Sequence, residues 1–123
     1  MKLPITKLAE LYFVLKELER TPFENYSTSY RIFRNLEMIR PYGERYMEEM
    51  KTEAQKIEPN ITEENQEILA AQANAIIFQK WTEAGETEDL PLKTLNFSKE
   101  KLPLTPAQLG VLAPILEDLD ADL

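Results

Sequence analysis

The sequence predicts a mainly α fold: a long helical hairpin packed by N- and C-terminal helices, with a small extended or two-strand element around residues 88–104. Three observations carry this expectation. Apolar residues recur at helical spacing through four segments, Ser, Thr, Pro and Gly punctuate the segments, and the periodicity changes after Gly85. At 123 residues the chain is expected to form one domain, 1–123, with a single core.

The first helix is expected over about residues 7–20. Leu8, Leu11, Leu15 and Leu18 share one face, Thr6 is placed to cap it, and Thr21-Pro22 stops it because a residue before proline is pushed out of helical geometry. Phe23-Glu24-Asn25-Tyr26 reads as a short extended link. Ser27-Thr28-Ser29 then offers capping hydroxyls for a long second helix, about 28–57, with Phe33, Leu36, Met47, Met50, Ala54 and Ile57 as its apolar seam. Arg40 and Gly43 interrupt that seam, and Pro41 lies between them. An interior proline costs about 3 kcal/mol, so a kink or break is expected near Arg40-Pro41-Tyr42-Gly43. The simpler form is two helices with a tight joint; the other is a hinge.

Pro59-Asn60 turns the chain, and Thr62 followed by Glu63-Glu64 opens a third helix over about 63–84. Ala70, Ala71, Ala73 and Ala75 allow close approach of a neighbour, Ile68, Leu69, Ile76, Ile77, Phe78 and Trp81 supply bulk, and Ala84-Gly85 is the stop. Trp81 is expected to anchor the core beside Phe78. Leu90, Leu92, Leu95 and Phe97 around Pro91, then Leu102-Pro103-Leu104, read as extended pieces confined to an edge by their prolines. Thr105-Pro106-Ala107-Gln108 is a capping box with proline at the first helical position, launching a last helix over about 106–118 in which Pro114 is placed to bend it.

Composition removes most catalytic designs. The chain has no Cys and no His, hence no thiol nucleophile, no disulfide, no zinc site of the usual ligands and no group titrating near neutrality. No enzyme activity, catalytic residue, metal or cofactor is expected. No apolar run suggests a membrane span, and Glu10 arrives before an export signal could develop, so neither membrane nor secretion is expected. Asn25-Tyr26-Ser27, Asn60-Ile61-Thr62 and Asn96-Phe97-Ser98 match the glycosylation acceptor pattern only by coincidence in that setting.

Charge is the one functional signal. The net charge is −8; residues 1–60 balance 10 basic against 10 acidic side chains, whereas residues 61–123 set 4 against 12. Direct nucleic-acid binding is not expected of such a chain. Tyr42 and Tyr46 beside Arg40 and Arg45 resemble a base-stacking strip, but Glu44, Glu48 and Glu49 cancel its field and packing is the expected role. Two clusters stand out, each netting −4: Glu83, Glu86, Glu88 and Asp89, then Glu117, Asp118, Asp120 and Asp122. Both fall at or beyond helix C-termini, where the helix dipole disfavours anions by a few tenths to about 1 kcal/mol each. Either they serve solubility, or they meet a basic protein partner; they are the candidate partner-binding residues. Asp118, Asp120 and Asp122 imitate the start of a calcium loop, but its glycine and closing glutamate are missing.

Ser29-Tyr30-Arg31-Ile32-Phe33-Arg34-Asn35-Leu36-Glu37-Met38-Ile39, with the early Leu-rich helix and Thr105-Pro106-Ala107-Gln108-Leu109 running to Leu116-Glu117-Asp118, is similar to a family of small acidic phage and prophage proteins classed as a domain of unknown function. Pro41 falls where that family's long helix runs uninterrupted. The resemblance implies a small non-enzymatic viral protein in the host cytoplasm or the virion. It would act by protein–protein contact in virion assembly or host takeover, on a phage structural protein or a host protein. An arm of about 30 residues would be roughly 45 Å long and needs cover, so self-association or a second chain is expected. The alternative is an acidic DNA-mimic-like inhibitor of a host nuclease or antiphage defence protein.

Overall fold

The computed structural model describes residues 1–96 and 104–117. In chain order they form strand β1 (Lys2–Pro4), helix α1 (Ile5–Leu18), helix α2 (Tyr26–Ile57), helix α3 (Gln66–Ala84), strand β2 (Thr87–Asp89) and helix α4 (Pro106–Leu112), which runs on into a 3-10 turn, Ala113–Ile115. The hairpin of α2 and α3 is the spine, α1 packs against both of its helices, and α4 packs against α1. β1 and β2 pair antiparallel, Lys2 opposite Asp89 and Pro4 opposite Thr87. The small extended element therefore finds its partner at the N-terminus. Of the second piece expected, Leu102 and Pro103 lie outside the described residues.

The pairing of β1 with β2 also moves the start of α1. Thr6 does not cap the helix; Pro4 is the N-cap residue and has no side-chain bond to offer. The Ile5 amide, one of the donors a helix start leaves unpaired, is met instead by the Glu86 carbonyl at 3.0 Å. The sheet thus does the capping, and α1 begins and ends two residues earlier than its apolar pattern suggests. Ile5, Leu8, Ala9, Leu11, Tyr12, Leu15 and Leu18 are its buried face.

α2 is capped by Asn25, whose Oδ1 accepts from the Ser27 amide at 2.9 Å, rather than by the hydroxyls of residues 27–29. It is one helix through Pro41, not two helices with a joint. Pro41 and Glu37, whose carbonyl the proline cannot bond, are both exposed, on a face where solvent can reach the freed oxygen. The buried seam also differs from the expected one. It runs through Ile32, Leu36, Ile39, Gly43, Tyr46 and Ala54, leaving Phe33, Met47 and Ile57 exposed. Gly43 decides this: a Cβ at that position would overlap Cβ, Cγ and Cδ1 of Tyr12. The gap in the apolar pattern is where α1 comes closest, so the helix is rotated to face Gly43 inward.

Asn35, fully buried on the same helix, holds the segment after β2. Its Nδ2 donates to the Lys93 carbonyl at 2.9 Å and its Oδ1 accepts from the Lys93 amide at 2.7 Å. Arg31 donates to the Thr94 carbonyl at 2.8 Å, and Leu95 forms a parallel bridge with Leu116. The extended chain is thereby laid along the first half of α2.

α3 begins at Gln66, after a turn that Thr62 and Asn65 close reciprocally, the Thr62 amide donating to Asn65 Oδ1 at 2.7 Å and the Asn65 amide to Thr62 Oγ1 at 3.4 Å. Thr62 therefore organises the entry one turn before the helix proper. Leu69, Ala73, Ile77 and Trp81 are buried at intervals of four, and Gly85 ends the helix at φ 62°, a left-handed conformation that glycine adopts without penalty. Ile68 and Phe78 are 63% and 43% exposed and do not join the core. The Thr105–Gln108 box makes both of its bonds, at 2.9 and 3.1 Å. Pro114 ends α4 early by removing the amide that would bond the Gly110 carbonyl, to which Lys7 Nζ donates instead at 3.4 Å.

Because Pro41 faces water inside a continuous helix, Pro41→Ala should stabilise the protein by about 1–3 kcal/mol, with an unchanged urea m value. A loss of stability on this substitution would show that the proline sets a bend the fold requires.

Candidate functional site

The described acidic residues among those singled out by sequence, Glu83, Glu86, Glu88, Asp89 and Glu117, fall at two stations along α2. Near the end of α3, Glu83 accepts from Gln79 at 3.0 Å, Glu86 lies 3.8 Å from Arg45, Glu88 sits in β2 opposite Leu3, and Asp89 pairs with the N-terminal ammonium at 2.8 Å. The hydrogen bond from that ammonium, then its charge, holds the Asp89 carboxyl below the ordinary carboxylate value. Glu117 accepts from the Thr94 hydroxyl at 2.8 Å, on the segment tied to Arg31. Asp118, Asp120 and Asp122 lie outside the described residues. Arg31 and Arg45 are 14 residues apart on one helix, about 21 Å along its axis. The described members of the two clusters therefore do not share a patch, and Glu86 and Asp89 already have cationic partners.

At the Arg45 station a row of aromatic rings joins three helices. Tyr12 meets Phe13 edge-on at 5.7 Å, Phe13 meets Tyr46 at 6.0 Å, and Tyr46 meets Trp81 at 4.9 Å. The Arg45 guanidinium lies over the Trp81 ring, 4.7 Å from its centroid, while Trp81 Nε1 donates to both Glu49 oxygens at 3.2 and 3.1 Å. Arg45 Nε also donates to Glu49, at 3.2 Å, so one carboxylate satisfies the indole and anchors the cation above it. Trp81 is 3% exposed. It packs against Tyr46, and its polar edge is spent on Glu49.

Phe13 is the ring that α1 sets against Tyr46, and beyond it the hairpin has no cover from α1. There Met47, Met50, Ala54, Ile61, Leu69 and Ala70, with Phe13 at the head, line an apolar groove of about 650 Å³ between α2 and α3. Beneath it Ala54, Leu69 and Ala73 form a small separate core. Met47 is 51% and Ile61 41% exposed. Flexible, polarizable methionines in such a groove adapt to irregular apolar partners. The sequence pattern concealed this site, because Met47, Met50 and Ile57 at helical spacing look like a buried seam. The usable signal was Gly43, which needs to be counted as part of the seam.

Comparison with protein-family models, with curated proteins and with solved structures finds no match to this chain. Among the described residues, no helix is long and apolar enough to cross a membrane.

Burial, then the charges of Glu10 and Glu49, raise the Tyr46 hydroxyl above the ordinary value of 10.0, and its proton is donated to Asn74 Oδ1 at 2.6 Å. A raised folded-state value means stability that is present below 10.0 and lost as pH rises through the folded value. Urea stability should accordingly fall as pH rises above 10, and Tyr46→Phe should flatten the fall. An equal fall in both proteins would show that Tyr46 ionises without strain.

Proposed function

We propose that this is a non-enzymatic, phage-type protein that works by protein–protein contact, in virion assembly or in host takeover, through the free end of its α2–α3 hairpin. The observation that carries the reading is the open apolar groove lined by Met47, Met50 and Leu69. Monomeric proteins rarely leave a contiguous apolar surface in water unless it meets a partner. The resemblance of the Ser29–Leu36 stretch and the C-terminal segment to small phage and prophage proteins supplies the viral setting.

The separation of Glu86 from Glu117 favours this surface over a single acidic face. Apolar contact also differs from charge mimicry in its response to salt, since exposed charges are screened within about 3 Å at 1 M ionic strength. Co-purification from phage-infected cells should therefore yield a partner that persists at about 1 M salt and is lost from Met47→Glu. Neutralising Glu83, Glu86, Glu88 and Asp89 should leave it bound. A partner lost with salt and with those four acids, but kept by Met47→Glu, would contradict the groove reading and support mimicry.

A further inference from the structure

Among the described residues lining the hairpin groove, Lys51 alone carries a charge, and Gln66 and Asn74 are the other polar side chains. The basic groups near it are taken: Arg45 by Glu49 at 3.2 Å, and Lys56 and Lys80 by Glu53 at 4.0 and 3.7 Å. Lys51 is exposed and has no ion pair among the described residues. Glu10, which lines the adjoining cavity on the far side of Phe13, is paired with Lys7 at 3.7 Å. In a chain of net charge −8, the wall of an apolar groove thus presents a cation without a counter-charge.

Backbone chemistry limits what can lie there. The backbones of α2 and α3 are committed to their own helices, and Asn74 Oδ1 already accepts the Tyr46 hydroxyl at 2.6 Å. An extended segment laid against Met47, Met50 and Leu69 would leave amides and carbonyls facing apolar walls without partners. A polyproline segment docks among aromatic rings, and among the described lining residues only Phe13 is aromatic. A helix arrives with its backbone bonds already made. The fold uses the same solution next to the groove, where α1 packs on both α2 and α3. From Met47 to Ala54 is seven residues, about 10 Å along α2, which matches two turns of a docked helix.

We propose that the groove takes an amphipathic helix of a partner protein, one that presents apolar residues at i, i+3, i+4 and i+7 and, beside them, an acidic residue that pairs with Lys51. This rests on the reading of the hairpin end as a protein-contact surface and adds the chemistry of its occupant. Apolar burial carries the affinity, with Met47 and Met50 adapting to the side chains that enter. The acid opposite Lys51 fixes the register of the helix and disfavours a helix with a basic residue at that place.

The test selects binders to the immobilised full-length protein from a displayed library of random peptides of about 16 residues, some four helical turns. Selected peptides should share the apolar pattern with an acid at one fixed position, and should gain helical circular dichroism on binding. Met47→Ser, which adds no charge beside Lys51, should weaken them by about tenfold or more. Lys51→Glu should weaken them by about three- to tenfold, and replacing the peptide's acid by lysine should restore binding to that variant. Both positions are exposed, so unchanged circular dichroism of each variant is expected and confirms folding. A selection without binders, binders that are extended or indifferent to Met47→Ser, or an acid position indifferent to Lys51→Glu would overturn the proposal. So would a full-length protein that sediments as a dimer and becomes monomeric on Met47→Ser, because a second copy would then fill the groove. If the peptide results fail while Met47→Glu still loses a co-purifying partner, the helical occupant is wrong and the protein-contact reading stands. If Met47→Glu loses no partner either, both fail.

Discussion

The contact between the Tyr12 ring and the bare backbone of Gly43 is the constraint from which the rest of the structure follows. With no side chain at position 43, α1 and α2 approach to a distance that a Cβ would prohibit. That approach fixes the rotation of α2 about its axis. Ile32, Leu36, Ile39 and Tyr46 turn inward with Gly43, and Phe33 and Met47 turn out. It also fixes where α1 presents Phe13, hence the row of rings through Tyr46 to Trp81 that ties α3 to the other two helices. Arg45 and Glu49 can then satisfy the indole on both its face and its edge.

The unequal lengths of the helices convert this packing into exposed surface. α1 has 14 residues and α2 has 32, about 21 and 48 Å respectively, so one cannot cover the other. The extended segment at Lys93 and Thr94, held by Asn35 and Arg31, is spent on the first half of α2. Toward the hairpin's free end, α2 and the facing start of α3 have a small core of Ala54, Leu69 and Ala73 among the described residues. Small residues there bring the helices close but bury little, and Met47 beside them stays half in water. The groove is the remainder of a packing scheme anchored elsewhere.

Features governed by a few neighbouring residues were legible in the sequence. The Thr105–Gln108 box, the Gly85 stop, the arrest of α1 before Pro22 and the change to extended chain after Gly85 all depend on local hydrogen bonding and backbone sterics. Features governed by contacts distant in sequence were not. The start of α1 at Ile5 needs Glu86, 81 positions away, and the depth of Asn35 needs Lys93. The continuity of α2 through Pro41 depends on which face meets solvent, and periodicity alone cannot supply that while Gly43 is read as an interruption. The same gap in the apolar pattern makes Met47 and Phe33 look buried and conceals their exposure. The acidic clusters were visible as composition, but the separation of Glu86 from Glu117 along α2 is a property of the fold.

A urea-unfolding double-mutant cycle of Gly43→Ala and Tyr12→Ala tests the central contact most directly. Helix propensity alone favours alanine over glycine by about 1 kcal/mol in a helix interior, so the sign of the effect is informative. The close approach predicts that Gly43→Ala destabilises the wild type by about 1–3 kcal/mol and that most of this loss disappears when Tyr12 is already alanine. A Gly43→Ala protein that is as stable as the wild type or more so, with the same change in the Tyr12→Ala background, would contradict it.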